Sequence, residues 1–188
     1  MKLARAEWMA MQGQLDIARL VFIDEAGAKT NMTRLYGRSP KNERAYDHAP
    51  HGHWCTTTMI SSIRFNGETA CMAIDAATSG DVFRAYVEQV LAPTLRVGDI
   101  VVLDNLSAHK DKASLQLIEE AGAEVWFLPP YSPDLNPIEK MWSKVKQLLR
   151  GEKARSLESL FDAIGAALGC VSAADAQGWF ASCGYSLN

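Results

Sequence analysis

The chain has 188 residues, with 19 Lys+Arg against 22 Asp+Glu and a formal charge of −3. That length suits one domain with its own core, and a composition of 48% hydrophobic and 22% charged residues excludes a disordered chain. No apolar run approaches the ~20 residues of a membrane helix, Met1 to Gln14 holds no signal-type stretch, and Cys55, Cys71, Cys170 and Cys183 form no C-x-x-C pair, so the expectation is a reduced cytoplasmic protein with no membrane partner.

In chain order, residues 2–12 predict a short helix within an N-terminal segment 1–14. Residues 17–23 form an apolar run that stops at Asp24-Glu25 and a glycine, which predicts a buried strand ending before Asp24. Residues 28–53 are polar and interrupted by Gly37, Pro40, Pro50 and Gly52, which predicts a loop with one short edge strand at most. Thr56 to Ile63 is rich in β-branched residues and runs into Asn66-Gly67, a hairpin signal, with Thr69 to Ile74 as the return strand.

Thr78 and Asp81 suggest a capping box for a helix that Pro93 stops. Ile100 to Leu103 is a short apolar strand ending at Asp104. A helix over 110–121 and a strand over 124–128 follow. Pro129 to Pro137 holds four prolines and predicts a stiff extended loop. Asn136 and Pro137 then open a helix as N-cap and first residue, with an apolar stripe from Ile138 to Leu149. Two further helices, starting at Ser156 and Ser172, close the chain within 152–188. Three hairpin-joined strands followed by β-α crossovers predict a mixed five-stranded sheet with helices on both faces, an order that fits a ribonuclease H-like α/β core in a single domain, 1–188.

Three carboxylates stand out in that order. Asp24 and Asp104 follow the first and fourth strands, and sites in open α/β sheets form at such strand ends. Glu139 lies in the first turn of the helix after the proline loop, where it is either a third member of the site or a capping-box partner of Asn136. Three crowded acids repel one another unless cations neutralise them, and all-oxygen ligands suit Mg²⁺ or Mn²⁺. Two such ions serve phosphodiester chemistry.

The segment Phe22 to Gly27 (FIDEAG) resembles the first catalytic block of the DDE transposases of bacterial mariner-like insertion sequences. Val101 to Lys110 (VVLDNLSAHK) is similar to the second block and Leu128 to Glu139 (LPPYSPDLNPIE) to the third, with 34 residues between Asp104 and Glu139. Ala49 to Trp54 and Ala181 to Tyr185 also look family-like.

The resemblance implies a ribonuclease H-like catalytic domain in which Asp24, Asp104 and Glu139 hold two Mg²⁺ or Mn²⁺ ions. It implies cleavage of DNA at transposon ends and strand transfer into target DNA, by a homodimer in a synaptic complex. Glu25, Asn105, His109, Tyr131 and Asn136 would support the site, with Asn105 orienting a ligand or phosphate and His109 contacting substrate. Lys146 and Arg150, by helical spacing from Glu139, would carry phosphate along the same face. A basic loop with Lys29, Arg34, Arg38, Lys41 and Arg44 would suit DNA backbone binding.

The family's helix-turn-helix reader is expected to be missing from this chain, as in a split reading frame, a truncated copy or a trimmed chain, so an upstream helix-turn-helix product is an expected partner. The expected setting is a bacterial cytoplasm, at the nucleoid. Two readings compete: a structure-selective ribonuclease H-like nuclease without strand transfer, and a non-catalytic DNA-binding or assembly module. The net acidity at first opposes a DNA partner. Setting Asp24, Asp104 and Glu139 aside, however, leaves 19 acidic against 19 basic residues.

Overall fold

The computed structural model describes residues 2–186; Met1, Leu187 and Asn188, which belong to the expected terminal segments, lie outside them. Five strands form one sheet in the order β3-β2-β1-β4-β5: β1 (Leu20–Lys29), β2 (Thr56–Arg64), β3 (Thr69–Ile74), β4 (Ile100–Leu103) and β5 (Glu124–Phe127). The β1–β2 and β2–β3 pairs are antiparallel hairpin neighbours, while β1–β4 and β4–β5 are parallel. The expected mixed five-stranded sheet is present, with its strands in the expected sequence.

Helices cover both faces. α1 (Lys2–Gln12), α4 (Pro137–Glu152), α5 (Leu157–Gly169) and α6 (Ala173–Ser182) enclose one core with Leu20, Phe22, Met59, Ile63 and Val102. α2 (Gly80–Tyr86), the π-helical turn Val87–Leu91 and α3 (Lys112–Glu120) enclose the other with Val21, Ile23, Ile60, Val101 and Leu103. Central strands buried on both sides read as unbroken apolar runs, as 20–23 and 100–103 do. Among the described residues no single helix is long and apolar enough to cross a membrane.

Three expectations change. β1 does not stop before Asp24; it runs to Lys29, because β2 keeps pairing with it residue by residue through Lys29↔Thr56. A charged pair and a glycine end an apolar run but not a strand whose backbone still has a partner. Residues 17–19, expected to open β1, form a 3₁₀ turn capped by Asp16, while residues 30–55 contain no strand, as the loop expectation allows. The helix after β3 is capped by Ser79, whose hydroxyl accepts from Val82 N, and not by Thr78. The C-terminal helices begin as expected, with Ser156 and Ser172 as N-caps, and Ser172 shares a capping box with Asp175.

The β2–β3 turn touches the start of α6. Gly67 has φ +86°, and a Cβ there would lie 2.9 Å from Ala173 N. Gly67→Ala is therefore expected to cost about 2 kcal/mol, roughly 4–8 °C in Tm, through both the left-handed backbone and the backbone clash. A thermal melt that leaves Tm unmoved would show that the turn shifts freely.

Candidate active site

Strand parity builds the site. The β1–β4 ladder ends with Phe22 opposite Val102. Side chains alternate faces, so the residues two further on, Asp24 and Asp104, stand side by side on the α4 face where the ladder stops. Glu25 is sent to the opposite face, toward α2 and α3. β1 continues past this point paired only with β2, and Asp24 sits opposite Ser61. The gap left by β4 is the mouth of the site.

The third carboxylate comes from the proline loop. Leu128 N donates to Leu103 O, and Asn105 Nδ2 donates to Leu128 O at 2.6 Å, so the loop leaves β5 fastened to the end of β4. It turns back through Tyr131 (φ +56°) and a short 3₁₀ turn, Pro133–Leu135, to deliver Pro137 at the first position of α4. A cavity of about 400 Å³ results, lined by Asp24, Asp104, Asn105, Tyr131, Asn136 and Glu139 together with Leu106, Leu128, Pro129, Pro130, Ser132 and Pro133.

Asn136 occupies the N-cap position, but its side chain caps nothing. Its Oδ1 is buried without a hydrogen-bond partner. Glu139 is thus not tied into a capping box; it lines the cavity with an exposed side chain. The sequence left these two roles open, and the geometry selects the cavity.

The electrostatics are asymmetric. Asp24 is pushed up to about 7, first by burial and then by the charge of Glu139, with Glu25 and Asp104 adding to it. Asp104 goes the other way. Burial alone would raise it, but hydrogen bonds from His109 and from the Leu106 amide, and the His109 charge, hold it below the usual carboxylate range. Asp104 Oδ1 takes both contacts, from Leu106 N at 2.8 Å and His109 Nδ1 at 2.6 Å. Its second oxygen is left for the cavity.

His109 is fully buried and bridges two carboxylates, with Nε2 2.9 Å from Glu25 Oε1. Burial lowers its pKa, but the two hydrogen bonds and the two negative charges outweigh it and lift it to about 9. The imidazolium is the positive centre of a Glu25–His109–Asp104 row beneath the cavity floor.

This corrects the expectation for His109, which has no surface left for substrate. It also places Glu25, on the far face, as a partner of His109 and not as a lining residue. Tyr131 is exposed at the mouth, and Asn105 spends its amide on Leu128 O while still lining the cavity. Lys146 does not line the cavity, and Arg150 lines a second groove with Arg34, Leu35, Tyr36, Ser143 and Gln147. The periodicity that aligns 139, 146 and 150 is right, but 11 residues at ~1.5 Å each carry Arg150 out of reach.

Among the described residues no three His, Cys, Asp or Glu side chains are already drawn together as a metal cage. The donor set nonetheless suits a hard cation: three carboxylates on one cavity, one of them destabilised for want of a counter-charge, and an orphaned amide oxygen, Asn136 Oδ1, beside them. His48, His51, His53 and Cys55 lie exposed in the β1–β2 loop.

Comparison with known proteins follows the same lines. A family model described as DDE superfamily endonuclease matches residues 19–161. The chain is 31% identical over 93 residues to the Transposable element Tcb2 transposase of Caenorhabditis briggsae, a match covering 47% of this chain and 34% of that protein. Among solved structures, a Mos1 transposase paired-end complex with left transposon end aligns over 97% of this chain and 57% of its own, with TM-score 0.77 and 16% identity. The catalytic domain of Mos1 mariner transposase aligns over 100% of this chain and 93% of its own, with TM-score 0.65 and 15% identity. The expected ribonuclease H-like fold is the fold these structures share with the chain, which spans only part of the longer relatives.

Proposed function

The chain belongs to the DDE superfamily endonucleases, and from that premise we propose that it is the catalytic domain of a transposase, cutting DNA at the ends of a mobile element and joining the freed ends to target DNA. One observation carries the reading: Asp24, Asp104 and Glu139, from two strand ends and a helix start, line a single open cavity. The relatives support it by what they are called, among them a Mos1 strand transfer complex.

Asp24, Asp104 and Glu139, with Asn136 Oδ1 beside them, would hold Mg²⁺ or Mn²⁺, two ions in the loaded site. The ions would supply a metal-activated nucleophile and stabilise the leaving oxygen of the phosphodiester. The chain's own residues prepare the place. His109 fixes one oxygen of Asp104 and so presents the other to the cavity. Asn105 joins the ends of β4 and β5, which sets the distance between Asp104 and the proline loop. Asp24, crowded by Glu139, gains most when positive charge enters. The open, half-exposed mouth admits an extended strand where a closed pocket would exclude it.

DNA is the proposed substrate and partner, with the exposed loop bearing Arg34, Arg38, Lys41 and Arg44 as a backbone contact. A homodimer in the synaptic complex, recognition of transposon ends by an upstream helix-turn-helix product, and a bacterial cytoplasmic, nucleoid setting complete the proposal. Its test is strand transfer with pre-cleaved transposon ends as the donor substrate. Hydrolysis without joining would overturn the transposase reading and leave a nuclease.

Metal binding is expected to depend on pH. Below about 7 a proton occupies Asp24 and competes with the cation. The Tm gain from millimolar Mn²⁺ should therefore be larger at pH 8 than at pH 5.5, and an equal gain at both would remove Asp24 from the ligand set.

A further inference from the structure

The proline loop is stiff but poorly anchored by its own backbone. Four of the nine residues from Pro129 to Pro137 lack an N–H. Between Leu128 and α4, only Leu135 N and Asn136 N donate to backbone, and both bonds are local, to Ser132 O and Pro133 O. Proline fixes the shape of such a loop and leaves its position to be fixed from outside.

That anchoring comes from the two ends of the chain. Arg5 on α1 forks onto the loop: Nη1 donates to Ser132 Oγ at 2.7 Å and to Asp134 Oδ1 at 2.9 Å, and Nη2 to Asp134 Oδ2 at 2.7 Å. Trp8 Nε1 donates to Tyr185 Oη at 3.0 Å, and Tyr185 Oη donates onward to Leu135 O at 2.9 Å. Tyr185 is fully buried, its ring 5.0 Å from that of Phe22, two residues before Asp24. Gln12 Nε2 donates to Cys183 O and closes α1 onto the tail. A helix that merely covered the core would need the packing of Trp8 on Trp126. It would not need four polar side chains arranged around one loop and its tether. All these anchors lie outside residues 19–161, the span matched by the family model.

We propose that α1 and the C-terminal tail form a brace that holds the loop, and through it the start of α4, at the setting in which Glu139 faces Asp24 and Asp104. Arg5, Trp8 and Tyr185 are then positioning residues for cleavage. The brace also makes the active-site geometry sensitive to the placement of α1, so that a load on residues 2–12 is felt at Glu139. The inference rests on the endonuclease reading of the cavity for its effect on cleavage, but not for its effect on the loop.

Both effects are measured in the full chain. Tyr185→Phe removes the hydroxyl and keeps its ring, Trp8→Phe removes the indole N–H and leaves a benzene ring in place of the bicycle, and Arg5→Ala removes the fork of a half-buried side chain. Each removes at least one hydrogen bond and is expected to raise hydrogen exchange at the Leu135 and Asn136 amides by roughly five- to tenfold or more, while β1 amides stay protected. The Mn²⁺ concentration for half-maximal cleavage of duplex DNA should rise by a similar factor. The Trp8→Phe/Tyr185→Phe double variant should match Tyr185→Phe alone, because both act through one oxygen.

Unchanged exchange at 135 and 136, exchange rising equally in β1, or additive effects in the double variant would each overturn the brace. If the parent chain fails to cut DNA while the loop amides respond, the brace stands and the endonuclease reading falls. If the parent cuts and the loop amides do not respond, the reverse holds.

Discussion

Asp104→Asn is expected to abolish Mg²⁺-dependent cleavage, lowering the rate by roughly a thousandfold or more, with circular dichroism close to that of the parent and a lower Tm, because the buried His109 loses one of its two negative partners. The amide oxygen of asparagine can still accept from Leu106 N, so the turn after β4 survives. The variant loses the negative charge and the second carboxylate oxygen, and the group turned to the cavity becomes an N–H donor, which repels a cation. Duplex cleavage in millimolar Mg²⁺ is the measurement. A rate within tenfold of the parent would take Asp104 out of the chemistry.

Asp24→Asn should lose cleavage to a similar degree and gain stability. The folded-state pKa of Asp24 is raised to about 7 from an ordinary value of 3.8, by burial first and by the Glu139 charge next. An acid raised in this way is easiest to fold around when protonated. Its contribution is fully present below about pH 4, fades as pH rises through 7, and at pH 8 the bare carboxylate is a cost. Without metal at pH 8 the asparagine variant should melt higher, by roughly 1–2 kcal/mol or about 2–8 °C. At pH 4 the two proteins should melt together. Millimolar Mg²⁺ should narrow the gap at pH 8 by stabilising the parent. A variant that melts no higher than its parent at pH 8 in chelator would mean that Asp24 is not held under charge repulsion. The trade is of a familiar kind, in which stability is given up where function needs an unsatisfied group.

Much of this architecture is legible in the chain. β-branched density and Asn66-Gly67 locate β2 and β3, and β3 spans the predicted Thr69 to Ile74. Apolar stripes place α4 to α6, and the third motif places Glu139. The parts that were not legible have physical reasons. β1 outruns its apolar stretch because β2, remote in sequence at that point, supplies the hydrogen bonds. Asn136 carries a capping residue type without the capping bond, since type sets a propensity and tertiary surroundings decide the rotamer.

His109 reads as a polar residue near the aspartate of the second motif, and only the 3₁₀ turn Ser107–Lys110 shows that it folds inward between Asp104 and Glu25. The bonds from Arg5 and Trp8 join residues more than a hundred positions apart, and no local pattern encodes such pairs. Periodicity gives Arg150 its face but not the loop that walls it off with Arg34.

The long β1–β2 loop has a closed neck. Thr30 N donates to Cys55 O, and Cys55 N donates to Thr30 Oγ1, both at 3.1 Å. Below that neck the strands are already in register from Lys29↔Thr56 downward. Loop length and strand register are therefore decoupled: each doubling of a flexible loop costs only ~0.6 kcal/mol in closure entropy, and none of it is charged to the sheet. The exposed residues 34–54 can vary in size and charge, or accept an insertion, giving up ties such as that of Lys153 to Asp47, while the carboxylates on the strand below keep their places. A chain built this way can change what its loop touches without re-aligning the acids of its cavity.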